Sequence, residues 1–230
     1  MILTYNNKLA NLSGHLRDYG DPYNPCFLDP GIIRFAFPEG NNYDPNDEFP
    51  DTGNGHFEYV GRINGYYVWD FYPGYYGYQD RLTYITKDFE VWGWNTKGIT
   101  GIAAGAVFRG SNITKVNTPL DLSEINASEI FMQCYKLSEF NGIIRMSSNM
   151  DNTFFATGIV NMPKFDWNYI PSSVNKTFGA CYYLSNGIYS FYEHCIGVQY
   201  HNETFGAQCS RNSPSGQAEL ALIPNDWKGM

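Results

Sequence analysis

A phenylalanine returns through the second half of this chain at nearly constant intervals. Phe108, Phe131, Phe155, Phe178 and Phe205 stand 23, 24, 23 and 27 residues apart (131 − 108, 155 − 131, 178 − 155, 205 − 178). A fixed period of roughly 20–29 residues marks stacked units, each a single short supersecondary element. Such a unit has an apolar face it cannot bury alone, so neighbours stack into an extended surface suited to holding partners rather than to enclosing a reaction. The spacing predicts a short α/β repeat solenoid over residues 96–212, with these phenylalanines as its core.

The charge balance narrows the partners. Fifteen lysines and arginines against 23 acids give a net charge of −8, with no basic stripe to neutralise phosphates, so nucleic acid is not an expected ligand. Aromatic residues make up 17% of the chain, 19 of them tyrosine, a composition that suits a β-rich protein displaying surface. The start, Met1 to Lys8, has neither the basic flank nor the apolar run of a signal peptide. The weakly polar run at 98–108 is about half the ~20 residues a membrane helix needs, so no membrane insertion is expected. The five cysteines are odd in number and form no CxxC pair. Cys134 and Cys181 each follow a periodic phenylalanine by three residues, which predicts reduced, buried thiols rather than a disulfide scaffold.

Residues 1–95 lack the period and read as a small β-rich N-terminal domain. Residues 1–11 read as a first strand and residues 32–37 as another, bounded by Pro30-Gly31 and Pro38. An acidic, turn-rich loop fills 39–55. Residues 57–63 and 66–71 then form a hairpin about Asn64-Gly65, the strongest two-residue turn signal in the chain. One more strand is expected within 82–94. From residue 99 each unit reads as a short helix carrying the phenylalanine, with starts at Ser128, Asp151, Ser173 and Asn202. Extended stretches follow at 113–116, 137–140, 160–165 and 184–191. Residues 213–230 lose the pattern and read as a cap, with Trp227 laid over the last unit.

Several clusters invite a chemical reading and none completes one. The glycines of 98–105 fit neither GxGxxG nor a P-loop. His194, Cys195, His201 and Cys209 match no common zinc spacing. Asp44, Asp47, Glu48 and Asp51 gather oxygen ligands in one loop without the order of an EF-hand. No nucleophile-and-base arrangement is visible, so neither metal, cofactor nor enzymatic activity is expected. The aromatic patch Tyr72, Tyr75, Tyr76 and Tyr78 is the sequence's candidate contact for a protein or glycan partner, since tyrosine offers contact area at low entropic cost.

Two stretches, Phe131-Met132-Gln133-Cys134-Tyr135-Lys136-Leu137 and Phe178-Gly179-Ala180-Cys181-Tyr182-Tyr183-Leu184, resemble the F-x-x-C-x-x-L core of BspA-type leucine-rich repeats. Asn161-Met162-Pro163-Lys164-Phe165-Asp166 resembles the extended half of that unit. The resemblance implies that Leu137 and Leu184 join Cys134 and Cys181 in the core. Departures are Ser111 in the cysteine position after Phe108, Gly158 in that position after Phe155, and Cys209 displaced after Phe205. The order of elements from Ile33 through Val68-Trp69-Asp70 to Thr100 is similar to proteins of tailed phages of gut Bacteroidetes, including crAss-like phages, in which a β-rich region precedes such repeats. That likeness implies a non-enzymatic virion protein in a tail or head fibre, appendage or decoration, homo-oligomeric and in contact with other virion proteins. The alternative it leaves is an adhesin or receptor-binding module that touches host-surface glycans.

Overall fold

The computed structural model describes residues 28–40, 55–73, 82, 85–97, 106–206 and 208–229. The strand expected at 1–11, Cys26, the loop carboxylates Asp44, Asp47, Glu48 and Asp51, and the glycine segment 98–105 lie outside these residues. The protein is mainly β-sheet with few helices.

Strand β1 (Ile33–Pro38) alternates as its sequence dictates, with Ile33, Phe35 and Phe37 completely buried on one face. Strands β2 (His56–Ile63) and β3 (Tyr66–Tyr72) form the expected hairpin. Its two central residues, Asn64 (φ 50°) and Gly65 (φ 83°), both take the positive φ that a type I′ turn demands. Strand β4 (Phe89–Trp94) pairs antiparallel with β1 on one side and parallel with β5 (Ile113–Val116) on the other. The direction of the sheet therefore changes at β4. With β6 (Leu120–Asp121) assigned to a second sheet, β7 (Glu139–Phe140) completes the six-stranded order β2-β3-β1-β4-β5-β7. The second sheet joins β6, β8 (Ile143–Arg145) and β9 (Lys164–Phe165), all parallel.

Five phenylalanine rings stack through the middle of the molecule, and the third is Phe154. Centroids of Phe108, Phe131, Phe154, Phe178 and Phe205 follow one another at 5.5, 5.5, 5.5 and 5.7 Å, with interplanar angles of 1°, 15°, 0° and 10°. The expectation that Phe155 supplies this ring is corrected. Phe155 is half-buried, and its ring lies against Gly179, where a Cβ would come within 2.8 Å of it. The cysteine-equivalent position of this segment is accordingly Thr157, not Gly158.

The helices expected around these rings are also corrected, because each ring sits between two tight turns. On the N-terminal side Ala106, Glu129, Asn152, Lys176 and Glu203, and on the C-terminal side Gly110, Gln133, Ala156 and Ala180, have positive φ, which breaks an α-helix and suits the third residue of a type II turn. Backbone amides alternate in their use. Those of Glu129, Phe131 and Gln133 donate to Asp151, Thr153 and Phe155 in the next segment, whereas those of Met132 and Cys134 close turns onto Glu129 and Phe131. The same alternation recurs around Phe108, Phe154 and Phe178. Every rung is thus tied both to itself and to its successor, which satisfies backbone groups that would otherwise be stranded in the core. The proposed helix starts serve this stacking instead: Asp151 accepts from the hydroxyl of Ser173 and the backbone N–H of Asn175, and Asn175 Oδ1 accepts from the N–H of Asn202 at 2.7 Å. Ser128 lies in a turn, its carbonyl accepting from Ala106.

The bonding pattern begins earlier than the phenylalanines do. Leu82, completely buried, donates its N–H to Val107 O as Phe108 does to Ile130 O, and Ile85 closes a turn onto Leu82. Phe108 meets the inner face of the first sheet through Trp94 (5.6 Å, 90°) and Phe35 (6.2 Å). At the far end, Glu203 and Phe205 donate to the carbonyls of Asp226 and Trp227. Trp227 is buried, stacked on His201 at 4.5 Å and set edge-on to Tyr192.

Two helices lie near this end. Helix α1 (Ile188–Cys195) overturns the extended reading of 184–191: its buried Ile188, Phe191 and Cys195 recur at helical spacing. Helix α2 (Pro214–Leu220) starts at Ser213, whose hydroxyl accepts from Gly216 N, with Pro214 in the first turn.

Candidate binding face

Because side chains alternate across a strand, burying Phe35, Val91 and Val116 turns Arg34, Glu90 and Lys115 to the other face of the first sheet. That face carries most of the sheet's polar chemistry. Arg34 grips Asp70 on β3 with two parallel bonds of 2.7 Å, side chains only 16% and 11% exposed. Farther out, Lys115 and Glu139 pair at 3.0 Å. The hydrogen bond to Glu139, then its charge, raises the Lys115 ammonium above the usual lysine range.

Glu90 lies between these pairs and is 6% exposed. A buried carboxylate is costly unless donors replace water. Here three neutral donors converge: Tyr66 Oη on Oε1 at 2.9 Å, and Trp92 Nε1 and Asn117 Nδ2 on Oε2 at 2.9 and 2.6 Å. Burial, then the bond to Glu90, pushes the Tyr66 hydroxyl above its ordinary pKa. The Tyr66 and Trp92 rings are 5.1 Å apart. The network continues outward, since Asn141 Nδ2 donates to Asn117 Oδ1 at 2.7 Å. Sequence reasoning missed this cluster. Its members are scattered from 66 to 141, and only the pairing of β4 with β3-linked β1 and with β5 brings them together.

The sequence-derived candidates fall elsewhere. Tyr72 is half-buried and stacks on His56 at 4.9 Å, while Tyr75, Tyr76 and Tyr78 lie outside the described residues. Phe108, Phe131, Cys134, Leu137, Phe178, Cys181, Leu184 and Phe205 are all buried in one core. The thiols of Cys134 and Cys181 donate to the carbonyls of Phe108 (2.8 Å) and Phe154 (3.0 Å). Burial pushes their pKa values up to about 12 and about 11. His194 stacks on Trp167 at 4.1 Å and His201 bonds Asp226 at 3.1 Å, while Cys195 and Cys209 are buried free thiols. Among the described residues no three histidine, cysteine or acidic side chains gather around a common point, and no helix is long and apolar enough to cross a membrane.

Two further surface features stand out. Tyr135 and Tyr182, each four residues beyond a stacked ring, are exposed, as is Tyr183. A shallow open cleft of about 480 Å³ lies beside α2, lined by Phe205, Cys209, Gln217, Leu220 and Lys228. No family model, curated protein or solved structure matches the chain.

Proposed function

We propose that this chain is a non-enzymatic virion structural protein of a tailed phage of the gut Bacteroidetes type, part of a tail or head fibre, appendage or decoration. In this reading the segments from 96 to 212 are a short, degenerate BspA-type solenoid, residues 1–95 are its docking region, and residues 213–230 its cap. The observation that carries the proposal is the column of five stacked phenylalanines, tied rung to rung by backbone bonds. A core built this way is stiff and quasi-one-dimensional, and its work falls to the outer walls. The first sheet against Phe108 and Trp227 against the segment of Phe205 favour neighbours that meet this column sideways, in a symmetric homo-oligomer or against other virion proteins.

Mass spectrometry of purified particles tests the assignment. The chain should be present at a fixed stoichiometry to the major capsid protein and should occupy density outside the capsid shell or on the tail. Its absence from particles would overturn the proposal.

A further inference from the structure

We infer that the C-terminal turn Asp226–Lys228 is a pH-operated latch on the end of the ring column, closed while His201 carries both ring protons and loosened when it gives one up. The inference concerns the regulation of this end of the fold and stands whether or not the protein belongs to a particle.

The turn takes the place of a further rung. The N–H groups of Glu203 and Phe205 donate to the carbonyls of Asp226 (3.4 Å) and Trp227 (3.0 Å), as those of Phe131 and Gln133 donate to Thr153 and Phe155 farther back. Trp227 is buried and stands edge-on to Tyr192 of α1 at 5.2 Å. Lys228 adds a bond from Nζ to Leu220 O at 3.3 Å. His201, just before the last rung, then holds the turn with its side chain.

The contacts of His201 count its protons. Nδ1 lies 3.1 Å from the carbonyl oxygen of Val198, and Nε2 lies 3.1 Å from Oδ2 of Asp226. A backbone carbonyl and an ionised carboxylate accept and never donate. Both contacts are hydrogen bonds only for the imidazolium; the neutral ring has one N–H and turns a lone pair on the other oxygen. The ring also lies flat on Trp227, centroids 4.5 Å apart and planes 14° from parallel, where an indole face attracts a cation. His194 shows the contrast. It lies as flat on Trp167 (4.1 Å, 14°), but the oxygen its ring meets is Ser190 O at 2.8 Å, which the neutral form satisfies with its single N–H.

The sign follows from the partners. The bond from His201 is the main cause that holds the Asp226 carboxyl below its ordinary pKa, with the N–H of Trp227 on Oδ1 as a further donor. Of the other charged groups near this end, Glu203 faces Lys176 at 3.4 Å and Lys228 is turned to Leu220 O, while Tyr192 and Tyr200 are neutral. The latch is therefore closed at mildly acidic pH, where Asp226 is ionised and His201 charged, and loosens as pH rises through the imidazole range, around pH 6.5 for a free side chain. Opening bares the amides of Glu203 and Phe205, together with the wall of the cleft that Phe205 and Cys209 form beside Lys228. Unpaired amides in a row are what a further extended segment pairs with.

Amide hydrogen exchange of the full chain, corrected for the intrinsic pH dependence of exchange, tests the latch. Between about pH 5.5 and 7.5 protection of Glu203 and Phe205 should fall by about tenfold or more, the loss of one hydrogen bond's worth, while Phe131 and Phe178 stay unchanged. His201→Gln should abolish this pH dependence. Asp226→Asn should abolish it too and keep both amides protected, because the amide can turn its nitrogen to a neutral ring. His194→Gln should leave the wild-type response intact. Equal protection of Glu203 and Phe205 at both pH values, a response that survives in His201→Gln, or a parallel loss at Phe131 and Phe178 would each overturn the inference. Particle composition is read independently, so failure here leaves the virion assignment to its own test.

Discussion

The hydroxyl of Thr157 lies 3.3 Å from Sγ of Cys181, one rung farther along the ring column. Ser111 and Cys134 repeat the relation two rungs earlier, at 3.7 Å. The position three residues after each of the first four stacked rings thus alternates hydroxyl and thiol: Ser111, Cys134, Thr157, Cys181. Each is small enough for the close approach of segments and able to donate a hydrogen bond to a buried carbonyl.

The thiols of this ladder, together with Cys195 on α1, make the fold less stable at alkaline pH. The thiols have an ordinary pKa of 9.0, and burial pushes Cys134 and Cys195 up to about 12 and Cys181 up to about 11. A thiol with a raised folded pKa stays protonated in the native state while the unfolded chain ionises. Stability is therefore constant below about pH 9 and falls as pH rises from there toward 11–12. Urea midpoints should be flat between pH 7 and 8.5 and decline steadily above 9. At pH 8, iodoacetamide should label these three thiols only after denaturation. Rapid native labelling of Cys134 or Cys181 would contradict their placement.

Adjacent phenylalanines should differ sharply in weight. Phe154 is completely buried between two rings, so Phe154→Ala loses a packed core side chain and should cost ~3–5 kcal/mol. Phe155 is half-buried on the surface of Gly179, and Phe155→Ala should cost about 1 kcal/mol. Equilibrium urea unfolding of the two variants measures the difference. Equal costs, or the reverse order, would put the wrong ring in the column.

The pair Phe154-Phe155 also shows where the sequence stopped being legible. Either residue gives a nearly even period, 23, 24, 23 or 23, 23, 24, so spacing alone does not choose. A local signal does: Asp151-Asn152-Thr153-Phe154, Asn175-Lys176-Thr177-Phe178 and Asn202-Glu203-Thr204-Phe205 share one pattern. In each, the threonine hydroxyl bonds two carbonyls, as Thr177 does with Met150 and Val174 at 2.8 Å. The strands at 33–38, 56–63, 66–72 and 113–116 were readable from alternation and the Asn-Gly turn. The turns around the rings were not, because positive φ at Glu129, Gln133 and Lys176 is imposed by the inter-segment bonds rather than by residue type. Leu82 was missed as a rung because it is not aromatic, and the Ser213-Pro214 helix start was overlooked. The Glu90 cluster had no contiguous motif to betray it.

Gly142 marks a contact that admits no side chain. A Cβ there would overlap the carbonyl of Thr118 and the nitrogen of Pro119, both backbone atoms that cannot swing away. Gly142→Ala should force β7 and β8 apart from the preceding segment and cost ~1–3 kcal/mol, the usual penalty of overpacking. Gly40→Ala is the control, with open space around the added methyl and only a positive φ of 90° to strain it; its cost should stay near 1 kcal/mol. Thermal melts of both variants decide, and a harmless Gly142→Ala would deny the close approach.

The Arg34–Asp70 pair should behave as a buried ion pair does, with most of its apparent strength coming from the harm of breaking it. Its two bonds of 2.7 Å join β1 to β3 directly opposite one another, with little water at hand. Asp70→Asn leaves a guanidinium facing a neutral amide and should cost ~3 kcal/mol or more. Replacing both partners, as in Arg34→Met with Asp70→Leu, removes the desolvation penalty along with the attraction and should recover most of that loss. A double-mutant cycle by urea denaturation separates the two contributions. If Asp70→Asn costs less than about 1 kcal/mol, the pair is solvated and the outer face of the sheet is open to water at its centre, which would also remove the reason for treating Glu90 as a carboxylate held by donors in place of solvent.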